Sequence, residues 1–130
     1  MSLTGNMRLG KVQLEIMQVL WRDGPATARQ ITDALNAHSP IAHSTVQTLL
    51  RKMEAKGAVA HDPQDRVFVF HALSKEEEVN ETATRDILTR LFAGSVTDLV
   101  AHLLKHENIS NDELHELRRL VDEADSEVTE

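Results

Sequence analysis

The sequence predicts a mainly α fold with one small β-hairpin, on three observations. Apolar residues recur at helical spacing in six segments, the period falls to two only after Gly57, and cap or turn residues separate the segments. Charge divides the chain as well: residues 1 to 75 carry 9 Lys and Arg against 6 Asp and Glu, net +3, while residues 76 to 130 carry 5 against 15, net -10. Only the first half suits a polyanion, and the acidic second half must face away from one.

Leu9, Val12, Ile16, Val19 and Leu20 mark a first helix over about 10 to 23, ended by "DGP", where Gly24 can turn left-handed and Pro25 cannot continue the helix. Thr27 with Gln30 three residues later has the form of a capping box and opens a short second helix, about 28 to 37. The break "HSP" follows. Val46, Leu49, Leu50 and Met53 then form the buried stripe of a third helix, which Gly57 stops as a C′ residue. Beyond it, "AVAH" and "RVFVFHAL" flank the polar turn "DPQD" and read as a hairpin, with Val67 and Val69 on one face and Phe68 and Phe70 on the other. Three helices followed by a hairpin is the layout of a winged helix-turn-helix, here assigned to residues 1–73.

Residues 74–130 read as a helical dimerisation domain. Ser74 with Glu77, Ser95 with Asp98 and Ser110 with Glu113 each place a capping residue three positions before an acidic one, which predicts helices over about 75 to 93, 96 to 107 and 111 to 125. Three amphipathic helices with Phe92 as their one aromatic residue make a thin core, and pairing with a second copy remedies that. Leu91, Leu99, Leu103, Leu114, Leu117 and Val121 are the expected seam.

Composition narrows the function. With 41% apolar residues the chain fits the soluble globular class, and with no cysteine it has neither disulfides nor thiolate metal sites. Its longest apolar runs are only a few residues, such as Val67 to Phe70, and the N-terminus offers no apolar export segment; the expectations are a cytoplasmic location and no membrane insertion. His102 and His106 stand at i, i+4, but no third ligand accompanies them, and neither a metal nor another cofactor is assigned. No nucleophile elbow, phosphate-binding glycine loop or catalytic carboxylate pair is present, so the chain is not read as an enzyme.

Opposite the apolar stripe of the third helix lie Ser44, Gln47, Thr48 and Arg51, with Thr45 and Lys52 on a shoulder. An α-helix fits the major groove of B-DNA, where Gln pairs with adenine and Arg with guanine. Lys52, Lys56 and Thr27 are placed to hold phosphates, and Arg66 at the hairpin a phosphate or the minor groove. Any solvated helix is polar on one side. Position in a turn motif, in the basic half and just before a hairpin, raises this face above that background. Winged helices also serve as protein-interaction modules without sequence-specific DNA binding, which is the alternative reading.

The segments "LGKVQLEIMQVLW", "ATARQITDAL", "STVQTLLRKMEAKGAV", "FVFHAL" and "LTRLFAGSVTDLVAHLL" resemble the penicillinase repressor family, regulators of β-lactamase and methicillin-resistance genes, over roughly residues 9 to 125. The resemblance implies a homodimeric repressor that binds a palindromic operator on double-stranded DNA. It places Ser44, Thr45, Gln47 and Thr48 where bases or nearby phosphates are met. Well-known members carry Lys and Arg where Ser44 and Gln47 stand, and a Ser cap where Ala42 stands, so the operator sequence does not transfer. Members that control β-lactam resistance leave DNA when a membrane-bound sensor metalloprotease cuts between Asn and Phe. The matching bond here is His102 to Leu103, and neither residue fits, so the resemblance brings that protease as a partner only if it accepts this pair.

Overall fold

The computed structural model describes residues 9–127; residues 1–8 and 128–130, the outer ends of the two expected domains, lie outside the described part. Its elements in order are α1 (Lys11–Asp23), β1 (Ala26–Thr27), α2 (Ala28–Asn36), α3 (His43–Ala55), β2 (Val59–Gln64), β3 (Val67–Ala72), α4 (Glu76–Phe92), α5 (Val96–His106) and α6 (Asn111–Glu127). All six expected helices are present within a residue or two of their predicted ends. They fall into two compact units, one ending at Ile87 and the other beginning at Leu88.

In the first unit, α1, α2 and α3 pack their apolar stripes together and against the sheet. Ile16, Met17, Ile31, Val46, Leu50, Met53 and Val59 are fully buried, and Phe70 and Ala26 close the sheet side of the core. Truncating Leu50 to Ala in such a core costs about 2–5 kcal/mol. Trp21 docks the end of α1 by donating from its indole Nε1 to the Ser74 carbonyl at 2.8 Å.

The sheet is antiparallel, in the order β1-β3-β2. The sequence gives no sign of β1, because two residues show no period; Ala26 and Thr27 pair with Phe70 and Val69. The hairpin turn also differs from expectation. "DPQD" does not form it: Asp62, Pro63 and Gln64 stay in β2, and the loop is the two residues Asp65 and Arg66, closed by the Gln64 and Val67 pair. Both loop residues hold positive φ, 50° and 74°, as a two-residue type I′ turn requires. Pro63 is tolerated because β2 is an edge strand.

A second correction concerns Ser74. It does not cap α4; its hydroxyl is buried with no hydrogen-bond partner among the described residues. Its carbonyl is committed to Trp21, and the helix starts one residue later, where the Lys75 carbonyl accepts from Glu78 and Val79 and the Lys75 N–H donates to the Glu78 carboxylate at 3.1 Å. Position three before a glutamate is a local pattern, and the tertiary contact of Trp21 overrides it.

In the second unit the other two expected caps form: Ser95 Oγ accepts from the Asp98 N–H at 3.0 Å and Ser110 Oγ from the Glu113 N–H at 3.1 Å. Arg119 binds Glu116 and Glu123, one turn away on either side, and holds the Glu116 carboxyl below its ordinary range. Neither α5 nor α6 has a single buried residue.

Candidate nucleic-acid interface

The start of α3 is fixed by side chains of α2. Asn36 closes the connecting turn, its Oδ1 accepting from the Ile41 N–H and its Nδ2 donating to the Ile41 carbonyl, both at 3.0 Å. Ala42 occupies the N-cap and supplies no side-chain bond. His43 does the anchoring instead. The Thr32 hydroxyl donates its one proton to the Ala28 carbonyl at 2.7 Å, so across the 3.1 Å contact with Thr32 it is His43 Nδ1 that donates. At the other end Gly57 takes φ 84°, and the paired bonds from Gly57 N–H to Glu54 and from Ala58 N–H to Met53 form a Schellman motif that turns the chain into the hairpin.

Between these ends α3 shows the two faces the sequence predicts. Val46, Leu50 and Met53 are fully buried and Leu49 partly so, while Ser44, Thr45, Gln47, Thr48, Arg51, Lys52 and Lys56 are exposed. The Thr48 hydroxyl donates to the Ser44 carbonyl at 3.0 Å, which leaves its methyl group and lone pairs for an outside partner.

Of the expected site residues, Thr27, Gln47, Arg51 and Arg66 come together around one cleft of about 530 Å³ between α3, the start of α2 and the hairpin. Ser44, Thr45, Thr48, Lys52 and Lys56 do not line it and lie elsewhere on the exposed part of α3. Thr27 does two things. Its hydroxyl oxygen accepts from the Gln30 N–H at 3.1 Å as the N-cap of α2, and its proton stays available to an acceptor in the cleft.

Eight further residues line the cleft that were not among the expected site residues: apolar Ala28, Val67, Phe68 and Phe70, and Arg29, His43, Glu54 and His61. Glu54 Oε1 lies 2.7 Å from His61 Nδ1, joining α3 to β2, and the His61 ring stacks on Phe68 at 4.2 Å between centroids. Arg29 was legible as an exposed cation in the first turn of α2. The others were not, because no fixed spacing links a helix residue to the strand residue that folds against it.

A family model described as penicillinase repressor matches residues 9–123. The chain belongs to the penicillinase repressor family. Among similar proteins, the penicillinase repressor of Bacillus licheniformis is 27% identical over 89% of this chain and 91% of its own length. The transcriptional regulator BlaI of Mycobacterium tuberculosis is 30% identical over 92% of this chain and 86% of its own. The solution structure of the DNA-binding domain of the repressor BlaI superposes with a TM-score of 0.50 at 28% identity, covering 55% of this chain and 87% of that one. A MarR family protein from Bacillus stearothermophilus, at TM-score 0.53 and 23% identity over 96% of this chain and 79% of its own, shares the fold.

This penicillinase repressor family member leaves the expected dimer seam uncovered within its own unit. Leu91 and Val121 are 69% and 66% exposed, Leu103 is also exposed, and Leu99, Leu114 and Leu117 are half-buried. The bond from His102 to Leu103 lies inside α5, with the Leu103 carbonyl bonded to the Glu107 N–H at 2.9 Å. The His102 and His106 rings sit 4.4 Å apart, and no cluster of three metal-ligating side chains occurs among the described residues. No single helix there is long and apolar enough to cross a membrane.

Proposed function

We propose that two copies of this chain form a cytoplasmic transcriptional repressor that inserts α3 of each into successive major grooves of a palindromic operator. The observation that carries the reading is the uncovered polar face of α3, with Arg51 on it and Arg66 on the neighbouring hairpin, in a chain of the penicillinase repressor family. Gln47 and Arg51 have the chemistry to read base edges, Ser44, Thr45 and Thr48 are short enough to let the helix approach, and Lys52, Lys56, Thr27 and Arg66 supply phosphate contacts. The relatives named penicillinase repressor and BlaI support repression as the outcome.

Packing supports pairing through the second unit. Helices α5 and α6, without a buried residue and bearing Leu103 and Val121 toward solvent, need apolar cover, as does Leu91 near the end of α4, and a second copy supplies it symmetrically. The net -10 of residues 76 to 130 keeps that part off the duplex. As for release, cleavage at His102 to Leu103 requires α5 to unwind around that bond and a protease tolerant of both residues, so we assign release to another signal.

Fluorescence anisotropy of the chain's own upstream promoter against salt concentration tests the reading. A repressor neutralising several phosphates loses affinity linearly in log salt, and binds its promoter at least about a thousandfold more tightly than unrelated DNA. A protein-interaction module shows neither behaviour, and a flat salt response would end the proposal.

A further inference from the structure

We propose that the cleft between the hairpin and α3 also accepts a small planar aromatic carboxylate, and that this ligand and the operator exclude one another. The exclusion rests on the DNA-binding reading; the ligand site itself does not.

Three properties of the cleft point to that chemistry. Its volume, about 530 Å³, falls within the range of small-molecule sites. Its hairpin wall is apolar and uncovered: Phe68 is 54% exposed and Val67 49%, while Phe70 in the same strand is buried. His61 covers part of the Phe68 ring; a DNA phosphate gains nothing from the part left exposed, whereas an aromatic body gains by covering it.

The third property is charge. Arg29 from α2, Arg51 from α3 and Arg66 from the turn bring three guanidiniums to the cleft, and among the described residues none is held by an ion pair. Glu54 is the one carboxylate among the lining residues, and its Oε1 is taken by His61 Nδ1 at 2.7 Å, so the acidic group that would repel an anion already has a partner. A guanidinium binds a carboxylate through two parallel hydrogen bonds. The ligand that satisfies both walls has an aromatic ring to lie against Phe68 and a carboxylate to meet an arginine. Arg51 and Gln47 then face the ligand instead of base edges, which is why it and DNA compete.

Isothermal titration of the full chain without DNA, using 2-naphthoate, tests the site. 2-Naphthalenemethanol supplies the ring without the charge, and inorganic phosphate the charge without the ring. The expected result is a dissociation constant on the order of 0.1 to 1 mM for 2-naphthoate, no comparable binding of either control, and weakening of about tenfold or more in Phe68→Ser and in Arg51→Ala. Amide chemical shifts of the wild-type chain provide a readout free of any folding defect in the variants, with changes expected at residues 51 and 66 to 68. In competition, 2-naphthoate should raise the apparent dissociation constant for promoter DNA in step with its own occupancy. Absence of naphthoate binding by protein that still binds its promoter, equal binding of phosphate, or shifts confined to another surface overturns the site. Simultaneous binding of naphthoate and promoter overturns the exclusion. Failure of the unliganded chain to bind its promoter is a separate result and sinks the repressor reading instead.

Discussion

Glu54 Oε1 on α3 and His61 Nδ1 on β2 lie 2.7 Å apart, so α3 is joined to the hairpin by a side-chain clasp as well as by the chain between them. Both side chains are about one-third exposed, at 36% and 30%, and such a pair contributes only about 0–1 kcal/mol to stability. Its consequence lies in binding. His61→Ala frees the hairpin and leaves the Glu54 charge facing the duplex, and should weaken promoter binding about 3- to 10-fold with little change in the unfolding midpoint. Glu54→Gln keeps an acceptor for His61 and deletes the charge, and should bind at least as tightly as the parent chain. Anisotropy at fixed salt reads both; a loss in the Gln variant would mean that the charge itself is needed.

Arg51 and Lys56 test the proposed division between base reading and phosphate contact. Arg51→Ala should cost roughly 1–3 kcal/mol of promoter binding and relax discrimination at one base pair, whereas Lys56→Ala should weaken all DNA alike and reduce the salt slope by about 1. If Arg51→Ala weakens promoter and unrelated DNA equally, Arg51 holds a phosphate and leaves the base-contact set.

What could be read from the sequence follows how far apart the cooperating residues lie. The Schellman stop at Gly57 and the caps at Thr27, Ser95 and Ser110 depend on residues within a turn of each other, and all were legible. Asp62 and Pro63 resemble turn formers, but the turn fell on Asp65 and Arg66, because register is set by pairing along the whole of β2 and β3. Ser74 looked like a cap until Trp21, 53 residues away, claimed its carbonyl. On the candidate site the exposed face of α3 was visible from its periodicity. The cleft was not, since Glu54, His61 and Phe68 meet only once the hairpin folds back on the helix.

Ala42 marks a place where the chain is less stable than it needs to be. It sits at the N-cap of α3 with φ -79° and ψ 143°, the extended conformation of a capping residue; its carbonyl accepts from Thr45 and Val46, but its side chain has no oxygen to offer the free N–H groups. Ala42→Ser should add about 0.5–2 kcal/mol, seen as a higher denaturant midpoint at unchanged m. An unaltered midpoint would show that water already satisfies those N–H groups as well as a serine hydroxyl does.

The proposed seam is tested most cleanly at Val121. At 66% exposure within its own unit, Val121→Glu adds a charge without emptying any core, so its effect falls on association alone. The variant should scatter light as a monomer at concentrations where the parent chain is dimeric, and should lose tight promoter binding with it, because two half-sites are no longer engaged together. Leu117→Glu should do the same, with some added loss of stability because Leu117 is half-buried. A Val121→Glu dimer would move the seam to another face of α5 and α6.

Arg66 sets stability against binding at a single position. Its φ of 74° is one that L-residues other than glycine adopt at a cost of about 1–2 kcal/mol, and a type I′ loop favours glycine there. Arg66→Gly should therefore raise stability by about 0.5–1 kcal/mol even though it removes an exposed cation. If Arg66 meets a phosphate, the same change should lower promoter affinity and reduce the salt slope by roughly 0.9, the share of one neutralised phosphate. A folding defect cannot imitate that pair of results, since stability and affinity move in opposite directions. Chemical denaturation and anisotropy on the one variant decide the matter, and a more stable protein with unchanged affinity and slope would remove the hairpin tip from the DNA interface.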